Sequence, residues 1–232
     1  MNIYLKIKRY FKIRARAIRI KRFRDSIAPY LRKDFGVELN YKLWTTKGAR
    51  FVASRRNKIQ NELSSQTLEY LSVYLIIIGL LSAFKIKIPG LPFEEHLAFI
   101  TTAISIVILS FSHFETSKEY AVKSEKFHQC SLEIGELYSS LRMVKTFTTI
   151  INKEPEIAKI SKKYDKVLLK YINHDPIDFE MFMTTKPRYF KISWLDVALI
   201  KIRNYFIVRF KYHLFMYVPP IVIIIIFLCN VL

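Results

Sequence analysis

Three long runs without a Lys, Arg, Asp or Glu constrain this chain more than any other feature. They are Tyr70–Phe84, His96–Phe114 and Tyr212–Leu232, with 15, 19 and 21 residues. Because an α-helix rises about 1.5 Å per residue, roughly 20 apolar residues cross the hydrocarbon core of a membrane. The second and third runs have that length, and the first approaches it when the uncharged residues 66–68 are included. The runs predict three membrane-spanning helices.

The distribution of charge predicts how these helices are oriented. The chain is 51% hydrophobic and carries a formal net charge of +19, a combination that is unusual for a soluble globular protein. Residues 1–66 hold 18 basic and 4 acidic side chains, residues 115–211 hold 18 and 12, and the linker 85–95 holds two of each. Since Lys and Arg mark the cytoplasmic side, both large segments are expected in the cytoplasm. We therefore expect a multi-pass protein of a bacterial inner membrane, with its N-terminus and helical domain cytoplasmic.

The composition also excludes several kinds of nucleotide-binding, metal-binding and catalytic site. Five glycines leave no room for a dinucleotide fingerprint or a phosphate-binding loop, and two cysteines exclude a disulfide scaffold or a multi-cysteine zinc module. The five histidines are not spaced as metal ligands, and no H-E-x-x-H or G-x-S-x-G motif is present. We expect no enzymatic activity, no cofactor and no metal site.

Helical periodicity organises the segments between the runs, and strand-like alternation is absent. Apolar residues recur three and four positions apart from Phe127 to Thr148 and again from Ile157 to Tyr171. The second span is expected to continue into the cytoplasm as one rod. His174-Asp175-Pro176 should stop the later helix, and Pro219-Pro220 should kink or start the last one.

The predicted fold is an all-α membrane protein: a transmembrane hairpin extended by cytosolic helices, plus a C-terminal transmembrane helix. Residues 1–40 form a basic N-terminal arm. A two-transmembrane core covers 41–185, with spans at about 66–84 and 96–114 and cytosolic helices over 115–174. An amphipathic linker and the third span occupy 186–232.

The N-terminal arm interleaves apolar and basic residues. Residues 1–24 contain ten Lys or Arg and no acidic residue. Such a segment can lie on anionic membrane lipid as an amphipathic helix, or it can bind nucleic acid. It can equally do no more than hold the topology. Lipid is the favoured partner, because the spans keep the arm close to a negatively charged leaflet.

A polar and aromatic cluster follows the cytosolic helices. Its candidate residues are Tyr164, Tyr171, Asn173, His174 and Asp178. Adjacent Asn, His and Asp side chains can transfer protons or contact a nucleotide. They can also cap the end of a helix, and spacing alone favours this second interpretation.

The same cluster carries a resemblance. The run Tyr164–His174, followed by Asp178-Phe179, resembles the tail of the SLATT superfamily, the SMODS and SLOG-associating two-transmembrane effectors. The stretch 128–138 is similar to that superfamily's post-membrane helix, and Arg50 with its neighbours Arg55 and Arg56 also suits its pattern. The resemblance covers roughly 40–185 and is greatest to the branch associated with reverse transcriptases. Phe179 stands where a tyrosine is common.

The resemblance implies a homo-oligomeric effector of anti-phage defence that permeabilises or depolarises the membrane. A partner reverse transcriptase or nucleotide-signalling enzyme would activate it and cause growth arrest or cell death, and the cluster from Tyr164 to Asp178 would receive the signal. A scaffold that anchors a cytosolic partner without forming a pore is the alternative, and an unrecognised enzyme or transporter is a third class.

The spans carry two small or polar stripes that fit such an effector. Thr101, Ser105 and Ser112 fall within about 40° on a helix and could line a pore. The same hydroxyls could instead join helices. Ser72, Gly79 and Ala83 would allow close helix packing on the first span.

Overall fold

The computed structural model describes residues 34–84, 97–147 and 152–231, and every regular element in these ranges is an α-helix. The predicted all-α fold class is confirmed. Residues 1–33, which make up most of the predicted arm, lie outside the described ranges. The helices are α1 (Phe35–Ala83), α2 (Leu97–Thr116), α3 (Tyr120–Thr146), α4 (Glu154–Lys170), α5 (Pro176–Thr184), α6 (Pro187–Phe190), α7 (Trp194–Val208) and α8 (Phe210–Val231).

Helix α1 is a single unbroken helix of 49 residues. It begins after Asp34, whose carboxylate accepts a hydrogen bond of 2.7 Å from the Gly36 amide and so caps the first turn. Within the described residues α1 is long and apolar enough to cross a membrane by itself. Helices α7 and α8 meet the same criterion only when they are counted together as one span bent by 65°. Helix α2 coincides with the predicted second span.

The second span does not continue into the cytoplasm as one rod, and that prediction is wrong. The chain leaves the helix at residues 117–119, where Glu119 has a left-handed backbone with φ of 50°. The Ser117 hydroxyl donates to the Phe114 carbonyl, and the Lys118 amide donates to the Glu115 carbonyl. These bonds tighten and satisfy the last turn of α2, so that α3 starts as a separate helix.

Two other helix boundaries differ from the prediction. Helix α4 ends at Lys170, because Tyr171 has extended backbone angles, and the chain stays extended until Pro176 starts α5. Pro219 and Pro220 lie inside α8 and do not start it, so that the kink expected there as the alternative stays a prediction. The turn lies at Arg209 instead, between α7 and α8.

The chain forms two compact units, and the first takes the described residues of 1–53 and 126–201. Its core joins the N-terminal half of α1 to α3 and α4. The apolar faces predicted for α3 and α4 supply most of this core, which confirms the helical periodicity. Its buried members are Leu39, Leu43, Cys130, Ile134, Leu141, Val144, Ile160 and Tyr164.

An aromatic cluster packs α5 and α6 onto α1 within the same unit. Phe182 and Phe190 are buried, and Trp44 stacks on Phe190 with ring centroids 5.8 Å apart. Gly48 makes this approach possible. A Cβ atom at that position would lie 2.1 Å from the ring of Phe182.

The second unit takes residues 54–125 and 202–232 as far as they are described, and it packs α8 against α1 and α2. The Tyr74 hydroxyl on α1 donates a 2.6 Å hydrogen bond to the Met216 carbonyl on α8. Phe111 on α2 and Phe215 on α8 have ring centroids 5.4 Å apart. These two contacts connect α8 to α1 and to α2.

The close contact at Gly48 yields the first prediction. Gly48→Ala should destabilise the protein by about 1–3 kcal/mol, because the packed Phe182 ring cannot move away freely. Gly135→Ala is the matched control, since its Cβ would meet only the flexible Lys47 side chain at 3.5 Å. That change should leave stability equal or raise it by about 0.5–1 kcal/mol. Thermal unfolding in detergent measures both, and equal melting temperatures for the two variants would contradict the packing at Gly48.

Candidate functional site

A buried arginine on α1 lies beside the predicted cluster. The Arg50 side chain belongs to a residue only 1% exposed, and its Nη2 donates a 3.1 Å hydrogen bond to Oδ1 of Asn173. Nε and Nη1 are buried and have no hydrogen-bond partner among the described residues. The guanidinium carbon lies 5.6 Å from the centre of the Phe127 ring. We call Arg50, Phe127, Tyr164, Asn173 and Asp178 the Arg50 cluster.

The charge of Arg50 is only partly compensated. Burial lowers the pKa of its guanidinium, and the neighbouring Cys130, Tyr164 and Asp178 oppose that effect. A buried cation with two nitrogens that lack a hydrogen-bond partner among the described residues costs folding free energy, so the position is poorly explained by stability alone.

Asp178 belongs to the same cluster and also caps α5. It is completely buried and occupies the third position of the helix, where its Oδ2 accepts a 3.0 Å hydrogen bond from the Asp175 amide. Asp175 completes a reciprocal capping box with its own side chain. Asp178 therefore links the start of α5 to the surroundings of Arg50.

Two tyrosines of the cluster that the sequence predicts form hydrogen bonds with other helices. The buried Tyr164 on α4 shares a 2.8 Å hydrogen bond with Oγ1 of Thr46 on α1, and burial raises the pKa of this phenol. Tyr171 donates a 2.6 Å hydrogen bond to Glu133 on α3, which also pairs with Lys170. The hydrogen bond from Lys170 and that from Tyr171 lower the pKa of the Glu133 carboxyl.

The structure thus brings three of the five predicted residues, Tyr164, Asn173 and Asp178, around Arg50. Tyr171 is directed to α3, and the half-buried His174 lies in the extended segment between α4 and α5. Sequence reasoning missed Thr46, Phe127 and Glu133 as partners, because a hydroxyl, a ring or a carboxylate on a helix gives no local sign of its long-range contact.

Beyond Arg50, α1 carries a second unusual feature. Four polar residues spaced three and four apart are buried where an apolar seam would be usual. This polar seam consists of Asn57, Gln60, Ser64 and Thr67. Arg50 and the buried Ala53 continue its spacing toward the N-terminus. The seam therefore runs along one face of α1, from the Arg50 cluster to the predicted span.

A buried carboxylate lies at the end of α2 in the second unit. Glu115 accepts hydrogen bonds of 2.8 Å from Lys118, 2.6 Å from Lys211 and 2.6 Å from the Tyr212 hydroxyl. Burial raises the pKa of Glu115, but these three donors outweigh it and leave the pKa below its ordinary value. Glu115 therefore stays ionised and ties the end of α2 to the start of α8.

The candidate pore-lining and packing residues are half-buried or exposed in the described part of the chain. Thr101 and Ser112 are half-buried, and Ser105 is exposed and donates a 2.7 Å hydrogen bond to the Thr101 carbonyl of its own helix. On α1, Ser72 and Ala83 are exposed, and a Cβ at Gly79 would meet no atom within 4 Å. Both stripes are open to another molecule.

A double-mutant cycle checks how Arg50 is held. Asn173→Ala should cost about 1–3 kcal/mol of folding stability, because it removes the hydrogen bond that a buried cation makes within the described part of the chain. Arg50→Met should change stability by less than about 1 kcal/mol or raise it, since it removes a poorly paired charge. In the Arg50→Met protein, the further change Asn173→Ala should leave the free energy of unfolding almost unchanged.

The control for this cycle is Asn40→Ala on α1, ten residues before Arg50. Its effect should not depend on whether position 50 is Arg or Met. Melting temperatures in detergent are measured for wild type, for the two single variants and for the double variant. Strictly additive effects of Arg50→Met and Asn173→Ala would show that the hydrogen bond carries no stabilising energy.

The lowered pKa of Glu115 predicts how stability depends on pH. A depressed carboxyl pKa stabilises the folded protein above its ordinary value of 4.5, and this contribution is lost as pH falls through the lowered value. Glu115→Gln should therefore lower the melting temperature near neutral pH, and the difference from wild type should shrink in acid below that ordinary value. The exposed Glu119→Gln is the control. A difference independent of pH would contradict an ionised Glu115.

The described residues contain no group of three His, Cys, Asp or Glu that could hold a metal ion. No curated protein and no solved structure matches the chain. One protein family does match, over residues 32–226, and this range includes the Arg50 cluster, the polar seam and all but the last residues of α8. Because the match covers most of the chain and the described helices agree with it, the protein belongs to the SMODS and SLOG-associating 2TM effector domain family 5, which confirms the resemblance to the SLATT superfamily.

Proposed function

We propose that this effector assembles as a homo-oligomer in the bacterial inner membrane and depolarises it when a cytosolic partner enzyme activates it. One observation carries the proposal. Helix α1 runs without a break from the Arg50 cluster to the apolar segment that ends at Ala83. At about 1.5 Å per residue, this helix is about 74 Å long, and a change at its cytosolic half is transmitted to its membrane half.

The Arg50 cluster is the part of the chain best suited to receive a signal. Asn173 holds Arg50 by one hydrogen bond, and it lies in the extended segment between α4 and α5. Displacement of this segment by a partner would leave a buried guanidinium without its hydrogen bond. The cost of that state would favour a movement of α1.

The polar seam offers a way to transmit the movement. Apolar side chains at seam positions would fix α1 by close packing, whereas polar ones lower the stability of one arrangement. Gln60 is held by Arg56 from its own helix, and Thr67 donates to the Leu63 carbonyl of the same helix. Because these partners belong to α1 itself, both hydrogen bonds survive when α1 shifts against its neighbours.

The membrane half of the protein offers a surface for assembly. Apolar residues along α1 and α2 are exposed in the single chain, and Ile76, Leu80, Ile106 and Leu109 are all more than half exposed. Lipid and further copies of the chain can cover them. In an oligomer, the stripe of Thr101, Ser105 and Ser112 would line a narrow path for water and ions.

Reverse transcriptases and nucleotide-signalling enzymes are the partner classes that we propose. The family's name describes association with SMODS and SLOG, which supports a partner protein in general terms. The N-terminal arm is proposed to bind anionic lipid of the inner leaflet, and its high positive charge also permits contact with nucleic acid.

A triple variant of α2 tests the proposed pore. Thr101→Val, Ser105→Ala and Ser112→Ala keep the length of the helix and make it more apolar, so insertion should not suffer. A pore lined by these hydroxyls would become hydrophobic and close by dewetting. Bacteria that express the variant together with the genes flanking its own should keep their membrane potential, whereas wild type should dissipate it. A potential-sensitive dye measures the difference.

The matched control replaces hydroxyls on other faces of α2, with Thr102→Val and Ser110→Ala, and should depolarise like wild type. Membrane abundance and oligomer size of all three proteins are compared by immunoblotting and by native gels in mild detergent. Depolarisation by the triple variant at equal abundance would exclude this stripe as the pore lining. Loss of the oligomer in the triple variant would assign the hydroxyls to helix packing instead.

A further inference from the structure

Helix α7 presents an apolar stripe to its surroundings. Leu195, Leu199, Ile202 and Phe206 recur four, three and four residues apart, and each is more than half exposed. At about 100° per residue they fall within roughly 60° of one another. The buried residues Ile200 and Val208 lie on the opposite side of the helix. The stripe is therefore not part of the packed face of α7.

Aromatic and basic residues frame this stripe. Trp194 is 76% exposed at the start of α7, and Tyr205 is exposed on the same edge of the stripe. Exposed Lys186, Arg188 and Lys191 precede the helix, and Lys201 lies on it. Trp and Tyr at the border of an apolar face, with Lys and Arg around it, are typical of a helix in the headgroup region of an anionic membrane.

The position of α7 in the chain also indicates that the membrane surface is its partner. It joins the apolar helix α8 through Arg209, with a bend of 65° between the two. A helix that enters the bilayer steeply and is bent by 65° from its predecessor leaves that predecessor close to the membrane plane. The apolar stripe of α7 is then at the depth where lipid headgroups meet the acyl chains.

From these observations we infer that α7 lies in the cytoplasmic interface of the membrane, with its apolar stripe buried in anionic lipid. The apolar stripe is covered by the lipid surface, and it is covered neither by a groove of another protein nor by the hydrocarbon centre of the bilayer. This inference requires that α8 is in the membrane, but it does not require that the protein forms a pore. Helix α7 then fixes the depth at which α8 starts.

The two tryptophans of the chain make a direct measurement possible. Trp44→Phe leaves Trp194 as the single tryptophan, and Trp194→Phe leaves Trp44, which is packed in the aromatic cluster of the first unit. Each full-length variant is reconstituted into vesicles of phosphatidylcholine and phosphatidylglycerol. The phosphatidylcholine carries bromine atoms either near the headgroup or near the end of the acyl chains, and bromine quenches nearby tryptophan fluorescence.

Trp194 should be quenched at least about twofold more strongly by the shallow bromines than by the deep ones, as an interfacial helix requires. Trp44 should be quenched by neither. Stronger quenching of Trp194 by the deep bromines would overturn the inference and make α7 part of a broken span. Quenching of Trp194 by aqueous iodide and by neither lipid would overturn it as well, because α7 would then lie in water.

A pair of variants checks that the stripe carries the contact. Leu199→Gln with Ile202→Gln, in the Trp44→Phe protein, should reduce shallow quenching of Trp194 by more than half. Lys201→Gln between them should preserve it, because Lys201 lies outside the stripe. Unchanged quenching in the double variant would show that the stripe does not bind lipid. Depolarisation is not measured here, so a failure of the proposed pore leaves this result intact.

Discussion

Helix α1 continues with one unbroken backbone from the packed core of the first unit to the exposed apolar segment of the predicted span. The rest of the structure depends on this continuity. Its first half carries Leu39 and Leu43 into a packed core, whereas its last half exposes Ile76 and Leu80. The polar seam lies between these two regions. A helix made apolar throughout would be more stable, but it would also be held in one position along its whole length. The buried polar side chains that lower stability therefore lie in the segment of α1 between the core and the predicted span.

The breaks at residues 117–119 and at Arg209 explain why one carboxylate matters so much in the second unit. At each break one helix ends and the next begins, and charged side chains lie beside both breaks. Glu115 comes just before the first break and Lys211 just after the second, and the two are joined at 2.6 Å. The hydrogen bonds that Glu115 accepts from Lys118, Lys211 and Tyr212 thus tie the end of α2 to the start of α8.

Local patterns were sufficient for the fold class and for the apolar faces of α3 and α4. They failed where a long-range contact decides the outcome. The helix breaks at the left-handed Glu119, and Glu115 beside the break pairs with Lys211, which is distant in sequence. The early end of α4 leaves Asn173 free to reach Arg50. In the site, sequence identified Asn173 and Asp178 through their resemblance to a known motif. It could not show that Arg50 is the residue around which they gather.

The hydroxyls of α2 also bear on how a resting state and a conducting state could share one sequence. In the single chain, Ser105 already donates to the carbonyl of Thr101, so a lipid-facing stripe costs little in the absence of water. A hydroxyl that donates to its own helix keeps its oxygen available as an acceptor. In the proposed oligomer, where several copies turn this face toward a common axis, water would bind those oxygens without breaking the helix. Under that proposal the helix is stable in both environments, and the position of α1 selects between them.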